Sequence, residues 1–271
     1  MRAWRVTVAA EHEDLATAAL WEAGTAGVEV SEAREGRIGL LAYFADDAPP
    51  LTLALLPQGA ALEAAAVPEV DWVERFRAGF RSFRVGRFVV APAWDAPDGP
   101  SPEVLVVDPG RAFGTGTHET TRLCLGALEG LAARRPLGRT LDLGSGTALL
   151  AIAAGRLGAG PVFASDIDPE ATSSSRHHAR INGTRLGVVR ADGGRGLRAG
   201  SFDLVLANLM ALLLIDRSAE IRALLAPGGA LVLSGLLADD LPFVRQAFAA
   251  CGTPTERLDG EWGALVYGGA R

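Results

Sequence analysis

The stretch TLDLGSGTALLAIAA, residues 140–154, constrains this chain more than any other. Thr140 through Leu143 form a short, mostly apolar run of strand type, cut off by Gly144, Ser145 and Gly146. Leu149, Leu150, Ile152 and Ala153 then recur at spacings that suit the buried face of a helix. A glycine turn between strand and helix lets backbone N–H groups approach a ligand with no Cβ in the way. The helix end that follows carries partial positive charge. Further on, VFASDID (residues 162–168) reads as a second apolar strand ending in Asp166. An acid at that strand tip is where a doubly wound sheet meets ribose hydroxyls. The expected core unit is therefore a nucleoside-binding βαβ within an α/β fold.

The spacing narrows the choice of nucleoside. A dinucleotide fingerprint, G-x-G-x-x-G, needs a glycine at position 149, which is Leu149. The pattern present is D-x-G-x-G-x-A, from Asp142 to Ala148. It resembles motif I of class I S-adenosylmethionine-dependent methyltransferases, D/E-x-G-x-G-x-G, with Ala148 in place of the last glycine. That cofactor has no pyrophosphate to cradle. If position 148 only packs helix on strand, one methyl is tolerable; if it needs positive φ, alanine is strained there. The resemblance makes Asp142, Gly144, Gly146 and Asp166 candidate cofactor-binding residues.

A chain of 271 residues is long enough for one large domain and a small one. With 49% hydrophobic and 21% charged residues it should bury a substantial core. Cys124 and Cys251 give no disulfide framework, which points to a reducing compartment and a cytoplasmic protein. The N-terminus lacks the apolar stretch of a signal peptide, and no run reaches the roughly 18 apolar residues of a membrane span, so no membrane partner is expected. A net charge of −6 disfavours a direct nucleic-acid partner and suits a basic one. All 26 basic residues are arginine.

In chain order, residues 1–56 read strand, helix, strand, strand: AWRVTVAA, EDLATAALWEAG stopping at Gly24, then GVEVSEA and RIGLLAYF around a turn at Arg34, Glu35 and Gly36. That is the opening of a small ferredoxin-like α+β domain, serving either packing or docking. Residues 57–70, alanine-rich and bracketed by Pro57 and Pro68, read as a linker. Residues 71–271 form the large domain. In it, Trp72, Val73, Phe76 and Phe80 share a helical face expected to pack into a core. The loop DPGRAFGTGTHETT follows, where Gly110, Gly114 and Gly116 leave little bulk and Thr115, Thr117, His118, Thr120 and Thr121 crowd in short polar groups. Thr117 with Thr120 or Thr121 is expected to cap the helix after it. Without a second histidine at ligand spacing, no metal site is expected; His177 and His178, adjacent on a polar helix, cannot share a ligand face. Asp192 follows a third short strand, where it could accept from an adenine amino group. Asn208 ends a fourth, facing the same crevice. A fifth strand, ALVLSGLL, and a closing pair, TERLD and EWGALVYGG, complete the sheet.

AFGTGTHETT, LDLGSGTALLAIAA, SDIDPEA, ANL, LSGLL and the terminal EW strand occur in the order of the ribosomal protein L11 methyltransferase family, which the chain resembles well over residues 70–271 and by architecture alone before that. The resemblance implies a seven-stranded doubly wound class I methyltransferase sheet. It implies trimethylation of lysine side chains and the N-terminal amine of a large-subunit ribosomal protein, L11, met free before assembly and recognised by the small domain. The family's cofactor contacts fall on Thr121, Gly144, Asp166 and Asn208. Asn208, with Thr115 and His118 of the loop, is the candidate for aiming the amine. Enzymes of this fold that methylate planar amides or bases carry Asn-Pro-Pro-aromatic at this strand tip; here Leu209 and Met210 follow Asn208. A methyltransferase acting on RNA or a small molecule, or a binding module without turnover, are the alternatives.

Overall fold

The computed structural model describes residues 2–30, 36–46, 48–49, 51–65, 81–97, 101–108 and 118–268. The chain divides into two compact units, Met1–Arg75 and Phe76–Arg271.

In the first unit, β1 (Arg2–Ala9) leads through α1 (Glu13–Glu22) to β2 (Gly27–Val30), β3 (Arg37–Phe44) and β4 (Ala61–Ala65). The sheet order is β2-β3-β1-β4, and every pairing is antiparallel. This is the strand order of a ferredoxin-like split βαβ, with a three-residue 3-10 turn, Leu53–Leu55, on the way to the last strand. Helix α1 buries Ala16 and Leu20 against Val6, Val8, Leu40 and Ala42. The expected linker is shorter than residues 57–70, because Ala61–Ala65 pairs along β1 from Thr7↔Ala61 to Ala3↔Ala65. Alanine-rich sequence has little strand preference of its own, and the free edge of β1 overrides it. Residues 66–70 and the aromatic stripe from Trp72 to Phe80 lie outside the described residues.

The second unit opens with a three-stranded sheet of β5 (Phe83–Val85), β6 (Phe88–Ala91) and β7 (Val104–Val106). After α2 (Glu119–Ala132) come β8 (Thr140–Leu143), α3 (Leu149–Arg156), β9 (Val162–Asp166), α4 (Pro169–Ile181), β10 (Gly187–Arg190) and β11 (Phe202–Asn208). Helices α5 (Ala211–Asp216) and α6 (Ser218–Leu224), β12 (Leu225–Leu237), α7 (Leu241–Ala247), β13 (Thr255–Asp259) and β14 (Trp262–Tyr267) finish it. The large sheet has seven strands in the order β10-β9-β8-β11-β12-β14-β13. The first five run parallel, and β14 is antiparallel to both its neighbours.

Side-chain alternation splits the core into two layers. Leu204, Leu206 and Val232 face α2 and α3, where Leu125, Leu128 and Ile152 meet them. Leu141, Leu143, Val205, Leu231 and Leu233 face the other way, onto Leu214, Ile221, Leu241 and Val244. Each fully buried leucine contributes roughly 1.5–3 kcal/mol. The same alternation turns Asp142 toward α3. Strand order reverses between β8 and β11, and a doubly wound sheet opens a crevice at such a reversal.

Candidate active site

Four strands bring residues to that crevice. Gly144 follows β8, Asp166 ends β9, Asn208 ends β11 and Gly235 lies within β12, and all four line a cavity of about 790 Å3. Its other walls include His118, Ile167, Asp192, Met210, Leu213, Arg217 and Trp262.

The glycine turn is held from below and beside. The N–H groups of Gly144 and Ser145 donate to the Ser165 carbonyl at 2.8 and 3.0 Å. Ser175 Oγ donates to the Gly146 carbonyl at 2.9 Å. Gly144 sits at φ +70°, and a Cβ there would run into the Leu209 side chain. At Ala148 φ is +60° and ψ is 26°, and its side chain is fully buried at the start of α3. Of the two alternatives for this position, the strained one holds, at a cost of roughly 1–2 kcal/mol.

The structure sorts the candidate cofactor residues into two levels. Gly144, Gly146, Asp166, Asp192 and Asn208 line the large cavity. Asp142 and Thr121 instead line a separate space of about 20 Å3, which Gly144 and Asn208 share. Asp142 is buried, and its Oδ2 accepts the Ala151 N–H at 3.0 Å, so it satisfies the N-terminus of α3. Burial above all, with the Asp166 charge adding, pushes its pKa up to about 7 against the opposing pull of that hydrogen bond. Thr121 Oγ1 and Asn208 Oδ1 are buried with no hydrogen-bond partner among the described residues.

The Asp192 carboxylate is gripped on both oxygens, by Arg217 Nη2 at 2.7 Å and Arg195 Nη1 at 3.0 Å. Those ion pairs fix its position in the cavity wall and occupy part of its accepting capacity. Thr120 and Thr121 lie inside α2, and His118 is its N-cap, its Nδ1 accepting the Thr120 N–H at 3.3 Å, because the helix begins one residue beyond it. The His118 ring meets Trp262 edge-on with centroids 4.5 Å apart. Thr115 and Thr117 lie outside the described residues. His177 and His178 both hold Asp108: His177 Nε2 lies 2.6 Å from its Oδ2, and its N–H donates to His178 Nε2 at 3.1 Å. Among the described residues no group of three or more His, Cys, Asp or Glu is arranged to hold a metal, and no helix is long and apolar enough to cross a membrane.

Sequence reasoning missed Trp262, Gly235, Met210 and Leu213 as cavity residues. Trp262 had a signal, its place at the start of the last strand; the others had none beyond following a strand tip.

The residues present fit S-adenosylmethionine. A carboxylate ends the second strand of the unit, a glycine turn leaves room beside it, and three buried oxygens without a hydrogen-bond partner among the described residues, the Thr121 and Ser165 hydroxyls and the Asn208 amide, lie in the walls of the two cavities. Buried polar atoms are rarely left unpaired without a purpose.

A family model described as "Ribosomal protein L11 methyltransferase (PrmA)" matches residues 3–267. The ribosomal protein L11 methyltransferase of Geobacter sulfurreducens is 43% identical over 206 residues, which cover 74% of this chain and 67% of that protein. That of Thermus thermophilus is 42% identical over 206 residues, covering 74% and 79%. A crystal structure of ribosomal protein L11 methylase from Lactobacillus delbrueckii subsp. bulgaricus superposes with a TM-score of 0.62 at 28% identity, covering 69% of this chain and 97% of that one.

Proposed function

This chain belongs to the ribosomal protein L11 methyltransferase family, and from that premise we propose that it transfers methyl groups from S-adenosylmethionine to lysine side chains and the N-terminal amine of ribosomal protein L11. The observation that carries the amine acceptor is Asn208. Its Oδ1 is buried without a partner among the described residues, at the wall common to both cavities, and an amine N–H can satisfy it.

S-adenosylmethionine, when bound, supplies a methyl group activated by a positively charged sulfur. The chain's own residues bind and aim. Asp166 receives the ribose hydroxyls, Gly144 and Gly146 give the ligand room, and Thr121 offers its hydroxyl from beneath the turn. A lysine amine has an ordinary pKa of about 10.4 and must shed its proton before it can act as a nucleophile. Leu209, Met210 and Leu213 line the cavity near Asn208 and strip water from the incoming amine, which favours its neutral form. Alignment then supplies most of the acceleration, and no strong base is required.

The unit Met1–Arg75 docks the protein substrate, and L11 is met free in the cytoplasm before ribosome assembly. A net charge of −6 suits a basic partner. The test is incubation of the full chain with labelled S-adenosylmethionine and, separately, isolated L11, assembled large subunits and free ribosomal RNA, followed by mass spectrometry. Label is expected on lysines and the N-terminus of isolated L11, and far less on assembled subunits. Label on RNA, or none on L11, overturns the proposal.

A further inference from the structure

We propose that the catalytic unit carries a second docking surface of its own, an apolar patch on α5 and α7 beside the cavity mouth, which grips the polypeptide flanking the target amine. The proposal rests on the function given above. Its starting observation is exposure: Leu212 is 82% exposed, Met210 73% and Phe243 63%. A single exposed apolar side chain is ordinary, but a contiguous exposed apolar patch rimmed by polar residues marks a place that a partner covers.

The fold explains why they stand out together. Helices α5 and α7 pack on each other and bury Leu214, Leu241 and Val244 against the sheet. The same two short helices turn Leu212 and Phe243 outward. Neither outward residue contributes to the core or lines the cavity, so folding and cofactor binding account for neither.

Continuity with the cavity identifies the occupant. Met210 and Leu213 line the cavity that Asn208 faces, and Leu212 lies between them in sequence. An amine reaching Asn208 on an extended side chain brings its own backbone across this rim. The surroundings suit a basic segment: Asp216, at the end of α5, is 80% exposed in its side chain, and Asp239, just before α7, is also exposed. A lysine-bearing segment with apolar neighbours matches an apolar patch flanked by acids better than a nucleic acid does.

The test uses the full chain with Leu212→Ser, Phe243→Ser and the double variant, changes at exposed positions that leave the core intact. Steady-state methylation of isolated L11 is followed with S-adenosylmethionine saturating, alongside cofactor affinity and thermal unfolding. Expected is a KM for L11 raised about tenfold in the double variant, the effect of removing an anchoring side chain, with kcat, cofactor affinity and unfolding temperature close to wild type. An unchanged KM overturns the proposal, as does a fall in kcat alone. So does wild-type protein that sediments as a dimer which these substitutions dissolve, since the patch would then belong to a second copy of the chain. Wild-type protein that neither binds nor methylates L11 fails earlier and takes the proposed function down with this surface.

Discussion

Gly146 donates its backbone N–H to Asp166 Oδ2 at 3.0 Å, so the glycine turn after β8 and the acid ending β9 form one unit. A second backbone donor, the Asp168 N–H, holds Oδ1 at the same distance. The carboxylate is therefore fixed before any ligand arrives and has lone pairs left to accept ribose hydroxyls. Asp166→Ala is expected to weaken S-adenosylmethionine binding by about 1.5–3 kcal/mol, the scale of hydrogen bonds to a charged group. Titration calorimetry on the folded variant measures this, and unchanged affinity would remove Asp166 from the site.

Asp142 makes the apo protein's stability depend on pH. Its folded pKa is raised to about 7, so between roughly pH 4, the ordinary carboxylate range, and pH 7 the folded state holds a proton that the unfolded state has released. Stability therefore falls as pH rises through that window and levels off above it. Asp142→Asn keeps an acceptor for the Ala151 N–H and cannot ionise. The variant is expected to lose this decline and to match or exceed wild type at pH 8. Denaturant unfolding at several pH values checks it, and parallel profiles for the two proteins would refute it.

Much of this was legible in the sequence, for physical reasons. Buried parallel strands broken by glycines announce themselves, so the order of elements from Thr140 to Tyr267 could be read directly. Asp166 and Asn208 end strands, and topology alone carries strand ends to the crevice. Asp142 was harder. Motif I makes it a ligand residue, yet in the sheet its side chain alternates away from the cavity and satisfies a helix N-terminus. The β4 strand in the expected linker and Trp262 as a wall depend on partners distant in sequence, which local pattern does not encode, whereas the His118 cap is a local contact with the Thr120 N–H that hinges on where the helix starts.

The two-unit division predicts separable functions. Deleting residues 1–75 is expected to leave S-adenosylmethionine affinity near wild type, since every described cavity residue lies in the second unit. Methylation of L11 should drop by about 100-fold or more, the scale lost when a tethered docking site is removed. Full efficiency in the truncated enzyme would place docking elsewhere.

Ala148 poses a sharper question of strain. Glycine there relieves the left-handed backbone but loses a buried methyl and adds chain entropy on unfolding. The opposing terms are of similar size, so Ala148→Gly should change stability by less than about 1 kcal/mol. Ala148→Val has no such compensation: a β-branched residue at φ +60° in a fully buried position should cost more than about 2 kcal/mol. Equal unfolding midpoints for valine and glycine variants would contradict a positive φ at this position.

Asn208 is the position at which binding and chemistry can be told apart by measurement. Its side-chain oxygen is buried and unpaired among the described residues, at a wall shared by the cavity that Asp166 lines and the smaller one beneath the turn. If it orients the amine, its contribution grows toward the transition state, where alignment matters most. Asn208→Ala is then expected to lower kcat by about 100-fold, the range seen when one oriented polar group is lost from an active site, while cofactor affinity falls by less than about tenfold. Single-turnover rates with saturating cofactor separate the two. The wild-type rate should climb with pH through the neutral range as the bound amine loses its proton, then level off above that amine's pKa. A rate independent of pH, with methyl transfer shown to be limiting, would rule out an amine nucleophile. An Asn208→Ala enzyme that lost only cofactor affinity would confine the residue to binding.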